Sequence, residues 1–522
     1  MMTVAVVAVS CNTEKKEQGN PFFAEWKTPF GVPPFDQITN GDYLPAIDSG
    51  IVLARLNIAE ITSSEEAPTF ANTIAKFDRA DELLTKVASV FYSQTSANTN
   101  DTLEALQMEI APKVAAFSDE VLLNSDLFGR IKTVWEARDS SLMSAEELFL
   151  LDNLYRSFVR NGALLNPEDQ EKLKKMNQEL SVLTVKFSQN VLAETNGFRL
   201  VIDNEADLKG LPESVITTAA EIAKGEGMEG KWIFTTQKPS MIPFLQYAET
   251  RDLRKKLYDA YLNRGNHGDQ YDNNKILADI VRLRADRARL LGYKTHADIV
   301  LETRMAKTPG NVLNLLNDLL ERSLVVAKRE RDEMQKLVDA EGGDFKIEPQ
   351  DWWYYAEKLR KEKYDLDENE LRPYFSLDNA RDGAFAVANK LYGITFTRIN
   401  DIPLPHPDAQ AFEVKEADGS HVGVLYMDFF PRESKRQGAW CGSYRDHQVV
   451  DGKEITPVVT IVGNFTPPAG DKPALLSMDD VLTLFHEFGH GLQGLFSENT
   501  YSTTTVAWDI VELPSQIMEH WA

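Results

Sequence analysis

The chain has 522 residues, 43% of them hydrophobic and 26% charged, an ordinary globular balance that excludes disordered, collagen-like and coiled-coil readings of the whole. Its 80 Asp and Glu outnumber 56 Lys and Arg, and a net charge of −24 repels phosphate backbones, which argues against nucleic acid as a partner. Two cysteines, Cys11 and Cys441, cannot build a disulfide framework.

Residues 1–11 are an uncharged, small and apolar run that ends in Ser10-Cys11 and turns abruptly polar at Asn12. This matches the end of a bacterial lipoprotein signal, with Cys11 as the residue acylated after cleavage. The expected address is then the bacterial cell envelope, facing the periplasm and held to the membrane only through that lipid. The alternative is a frayed cytoplasmic N-terminus with a chance cysteine. An apolar run of about ten residues is too short to cross a bilayer as a helix, and no other stretch approaches that length.

A polar linker at 12–22 leads into helix after helix. Apolar residues recur at three- and four-residue spacing over 83–91, 148–159, 173–187 and 312–337, with charges on the opposite faces. Strand signals are few. Residues 198–202 and 232–235 suggest a hairpin-like insert around 198–236, and a second group runs over 422–430 and 457–465. The spacing predicts a mostly α fold with a small β-sheet just before a pair of histidines. It divides into an N-terminal helical domain at 23–235 and a catalytic domain at 236–522. Trp352, Trp353, Tyr354 and Tyr355 form an aromatic cluster expected to pack helices, and Cys441 reads as a small core residue. Arg432, Lys435 and Arg436 read as a solvated loop, or else as an attractor for a carboxylate.

The chemistry sits at His486-Glu487-Phe488-Gly489-His490. Leu482, Leu484, Phe485, Leu492 and Leu495 predict a buried helix, with Asp479 and Asp480 acidifying its first turn. Residues four apart on a helix differ by about 40° in azimuth, so both imidazoles project from one face and can share a cation. Glu487 is turned about 100° from His486. It can reach a water at the cation's open position and act as general base. Neutral imidazoles with an open position suit Zn²⁺. A catalytic zinc takes three protein ligands, and Glu512, 26 residues after His486, is the favoured third. Ile510, Val511, Leu513, Ile517, Met518 and Trp521 would bury its segment, and a buried carboxylate needs a cation. Glu498, Glu519 and His520 are rivals. Asp509 either orients an imidazole from behind or caps the second helix.

These residues resemble the thimet-oligopeptidase-like zinc peptidases, and within them the bacterial peptidyl-dipeptidases. The resemblance rests on the run from Leu484 to Leu492, on Asp509-Ile510-Val511-Glu512-Leu513-Pro514-Ser515-Gln516, and on Asp428 to Lys435 with Ala439-Trp440. It also takes in Asp351 to Ala356 and Leu290-Leu291-Gly292-Tyr293. It covers nearly all of the chain after residue 22. It implies a two-lobed helical metallopeptidase with a deep channel and the small sheet beside the zinc helix. It further implies one Zn²⁺ on His486, His490 and Glu512, with Glu487 as catalytic base. The implied substrates are short unstructured peptides, with dipeptides released from the C-terminus or, alternatively, internal cleavage by an oligoendopeptidase. In the family's arrangement, 457–465 would be an edge strand whose free backbone groups pair with the peptide; an ordinary core strand is the other reading.

The sequence departs from the family at three points. Gln493 stands where many relatives carry His, and the segment from Ser497 to Trp508 is a few residues shorter and lacks a glycine. The resemblance also implies a further helical region after Ala522, carrying His and Tyr side chains that support the oxyanion. Two classes are therefore expected: a zinc peptidase, or a zinc- or peptide-binding protein with little turnover, since losing one oxyanion donor costs about 10²–10³ in rate.

Overall fold

The computed structural model describes residues 19–366, 368–468, 473–504 and 506–522. Cys11 and the apolar run before it lie outside the described residues. The four helical segments read from periodicity lie within helices Glu82–Ala97, Ala145–Arg160, Pro167–Gly197 and Pro309–Ala340. Side-chain caps start several of them: Ser144 and Glu147 close a capping box, and Asn166 accepts from Asp169 N–H. The long Pro309–Ala340 helix departs from expectation. Of its apolar residues only Met334 and Val338 are buried, while Leu313, Leu316, Leu320 and Leu324 face outward. Among the described residues, no helix is long and apolar enough to cross a membrane.

The insert at 198–236 is not a hairpin. Strand β1 (Leu200–Ile202) pairs antiparallel with β2 (Trp232–Phe234), but the helix Glu213–Gly225 stands between them. The main sheet uses β3 (Thr395–Ile399), β4 (Gln410–Lys415), β5 (His421–Asp428), β6 (Trp440–Arg445) and, after a small hairpin of β7 (Gln448–Val450) and β8 (Lys453–Ile455), β9 (Val458–Val462). Its order is β3-β4-β5-β9-β6, with β5 and β9 parallel and the other pairs antiparallel. The expectation that 457–465 is an edge strand fails: β9 is flanked on both sides, and β6 takes the edge. Val-Val-Thr-Ile-Val is buried throughout, as an interior strand covered on both faces requires.

The period-2 alternation along β5 divides two cores. Val424 and Tyr426 face the core built by the N-terminal helices, which runs from Phe22 through Phe158. Leu425, Met427 and Phe429 face the opposite core, shared with Leu484, Phe488 and Leu492 of the helix Met478–Leu495. The sheet is thus the plate against which the histidine helix is laid. Trp353, Tyr354 and Tyr355 pack helices as expected while Trp352 is exposed, and the buried Arg254 lies over the Tyr354 ring at 4.0 Å and is paired to Asp351 at 3.2 Å. Arg432 and Lys435 do not solvate a loop. Both close on the buried Asp428, Arg432 at 2.5 Å and Lys435 at 2.8 Å, and the Lys435 ammonium also donates to the Phe430 and Gly463 carbonyls. Their work is to neutralise a carboxylate inside the fold.

Candidate active site

Ser477 and Asp480 form a reciprocal capping box that starts the Met478–Leu495 helix. Its buried face carries Val481, Leu484, Phe485, Phe488, Leu492 and Leu495 onto the sheet. His486 and His490 lie one turn apart on the partly exposed side, their ring centroids 4.9 Å apart. The short helix Glu512–Glu519 brings a carboxylate to them. Glu512 Oε2 lies 3.2 Å from Nε2 of each histidine. One donor atom from each of the three residues lies within 4.8 Å of the others, the only such trio of acidic, histidine or cysteine side chains among the described residues.

The close approach of the two helices depends on Gly489. A Cβ there would stand 2.6 Å from Pro514 O and from Ser515 Cα, both backbone. Glycine at the fourth position of the motif therefore lets the Glu512 helix lie against the histidine helix. Gly489→Ala is expected to cost about 1–3 kcal/mol of stability through overpacking. Gly491→Ala should cost less, since its Cβ would meet the Ile461 side-chain tip at 2.9 Å. Denaturant unfolding of both variants checks this, and an unchanged midpoint for Gly489→Ala would contradict the contact.

The burial argument for Glu512 does not hold. Its side chain is 55% exposed, and Ile510, Leu513, Ile517 and Trp521 are about half exposed, leaving Ser515 and Met518 as the buried residues of its helix. Geometry places it instead. Ser515 Oγ donates to Glu512 Oε2 at 2.8 Å, fixing the carboxylate and holding its pKa below the usual range, with His490 and His486 adding to the effect. Glu519, a rival ligand in the sequence, takes another place: its Oε1 is 2.6 Å from His486 Nδ1. With Nδ1–H donated there, Nε2 keeps its lone pair towards Glu512 and His490. Glu498 and His520 are exposed and outside the group. Asp509 neither orients an imidazole nor caps the helix; it accepts from the Met305 N–H at 2.9 Å.

Glu487 turns away from the trio, as its azimuth requires, and is buried. Its Oε2 has no hydrogen-bond partner among the described residues. Burial pushes its carboxyl up to about 7, with His486 opposing and Glu512 reinforcing the rise. His486, Glu487 and Glu519 open into a cleft of about 610 Å³. One wall is the N-terminal half of the histidine helix, including Asp479 and Thr483; the facing wall is the helix Lys238–Tyr247, through Lys238, Ile242 and Gln246.

Peptidase family M3 matches residues 244–522. The chain belongs to peptidase family M3. It is a metallopeptidase. It is 40% identical to the dipeptidyl carboxypeptidase of Escherichia coli (strain K12) over 513 residues, 96% of this chain and 74% of that protein. Oligopeptidase A of the same organism is 32% identical over 95% of this chain and 74% of its own length. Saccharolysin of Saccharomyces cerevisiae is 27% identical over 92% and 70%. The peptidase's second cleft wall was not legible in its sequence, and Glu519 was legible there as a rival ligand rather than as the partner of His486 Nδ1. A signal existed for Glu519: it follows Glu512 by seven residues, two helical turns, and so shares its face.

Proposed function

We propose that the peptidase binds one Zn²⁺ through His486, His490 and Glu512 and releases dipeptides from the C-terminus of short unstructured peptides, with Glu487 as general base. The observation that carries the metal assignment is the pair of 3.2 Å separations from Glu512 Oε2 to the two imidazole nitrogens. Donors about 2.0–2.2 Å from a tetrahedral zinc stand about 3.4 Å apart, which the two Glu512 separations match, and all three donors lie within 4.8 Å of one another. When bound, Zn²⁺ supplies a Lewis acid that polarises the scissile carbonyl.

The chain's own residues do the rest. Glu487 accepts a proton from the attacking water and returns it to the departing amine, and the orphaned Oε2 is free to do so. Because the departing segment takes that proton from Glu487, it occupies the cleft that Glu487 faces. Glu519 holds His486 in one tautomer through its Nδ1. Gly438 and Ala439, lining the cleft, lead directly into β6, the strand at the edge of the sheet among the described residues, where an extended peptide would add. The family resemblance had given that role to 457–465.

The dipeptide register is supported by the name and 40% identity of the Escherichia coli relative; the oligopeptidase A relatives make internal cleavage the competing outcome. Zinc-loaded protein is expected to shorten a ten-residue peptide with a free C-terminus by two residues at a time, read by mass spectrometry. Internal fragments as the first products would overturn the dipeptide register, and an intact peptide after prolonged incubation would overturn turnover by this chain.

A further inference from the structure

The Glu512 helix has only eight residues, of which Ser515 and Met518 are buried; besides its packing on the histidine helix and the Ser515 bond, the segment leading into it bears on where its carboxylate stands. Four consecutive backbone N–H groups, those of Thr500, Tyr501, Ser502 and Thr503, all donate to two carboxylates from the N-terminal part of the chain. Glu146 Oε1 accepts from Thr500 N at 2.8 Å and Tyr501 N at 3.1 Å. Asp78 Oδ2 accepts from Ser502 N at 3.0 Å, and its Oδ1 from Thr503 N at 3.1 Å. The hydroxyls of Ser502 and Thr503 also donate to Asp78, and that of Thr504 to Glu146. Asp78 is buried, and no Lys or Arg is paired with it among the described residues, so the loop amides and hydroxyls are what stabilise its charge.

The other side of the segment is fixed too. The Asn499 carbonyl lies 2.9 Å from His447 Nδ1, the Thr500 carbonyl accepts from Val449 N–H in β7 at 3.1 Å, and Tyr501 packs edge-on against Phe70 at 5.5 Å. Beyond Thr504 the chain becomes exposed at Val506, Trp508 and Ile510, until Asp509 takes the Met305 N–H. The segment is thus anchored before Glu512 at two points, densely at the 500–504 turn and singly at Asp509.

We propose that Asp78 and Glu146 are positioning residues for Glu512: by ordering the 500–504 turn they fix the third ligand beside His486 and His490 before metal arrives. The proposal rests on the assignment of Glu512 as a zinc ligand. Without the clamp, the cost of ordering the connecting segment falls on metal binding. The bland alternative is a loop tied down for general stability, and the two differ in what the metal reports.

The test uses the full chain, with Zn²⁺ affinity measured by competition against a chromophoric chelator and Co²⁺ as a spectroscopic probe of the ligand set. Asp78→Asn removes one acceptor oxygen at constant size, and Glu146→Ala removes the single oxygen, Oε1, that accepts from Thr500, Tyr501 and Thr504. Each is expected to weaken Zn²⁺ by about tenfold or more and to move the visible Co²⁺ spectrum towards that of Glu512→Ala. In a Glu512→Ala background the same substitutions should cause no further loss, because there is no third ligand left to misplace. Affinities within twofold of the unsubstituted protein, or a loss that persists undiminished in the Glu512→Ala background, would overturn the positioning role. Unchanged affinity in Glu512→Ala itself would instead overturn the ligand assignment, and the positioning role with it. Should Asp78→Asn fail to fold, Thr503→Val, which deletes one hydroxyl from the loop side, carries the same expectation.

Discussion

Glu487→Gln is expected to keep bound zinc while peptide hydrolysis falls by at least about 100-fold, the usual scale for losing general-base catalysis. Glutamine preserves the size of the side chain and one carbonyl oxygen but has no basic oxygen. The substitution places an amide on a carboxyl that is buried and has one oxygen unpartnered, so the fold loses no hydrogen bond there. Glu487 stands outside the trio of donors, so the metal loses no ligand. Glu512→Gln makes the opposite expectation. A neutral amide is a poor ligand for a hard-to-borderline cation, and metal content should fall with activity. Metal analysis of both variants beside product release separates base from ligand. Full activity in Glu487→Gln, or zinc lost there and retained in Glu512→Gln, would reverse the two roles.

What the sequence disclosed follows from the range of the forces involved. The four-residue spacing of His486 and His490 is a local geometric fact, and the structure carries both imidazoles on one helix face. Helices read from apolar spacing are local as well, which is why 83–91 and 173–187 fall inside real helices. The errors lie where distant segments decide. Apolar letters around Glu512 pointed to burial, yet half-exposed Leu513 and Ile517 show that composition cannot say which face meets a neighbour. β9 looked equally fit for an edge or an interior place, and the matter turned on β6. Its Trp-Cys-Gly-Ser-Tyr-Arg has no clean alternation and gave no strand signal. Lys435 and Arg432 look like solvated charges until Asp428 is placed beneath them. Asp78 and Glu146 sit more than 350 residues from the turn they hold, a pairing no local pattern encodes.

His490→Ala is expected to leave the purified protein almost free of zinc, and Glu519→Gln to weaken zinc only by roughly 10–100-fold. The order follows from what each side chain touches. Removing His490 takes one of three donors, leaving a single imidazole and a half-exposed carboxylate, and among the described residues no other acidic, histidine or cysteine side chain completes the group. Glu519 is bound to His486 Nδ1 rather than to the trio. Its amide replacement can still accept that N–H, so the tautomer survives while the negative charge that strengthens the imidazole as a ligand is lost. Zinc content after dialysis and affinity by chelator competition measure both variants on one scale. Zinc retained by His490→Ala would remove the imidazole pair from the metal site. Zinc lost as completely from Glu519→Gln as from His490→Ala would make Glu519 a ligand in its own right, and the position of Glu512 would then need another explanation.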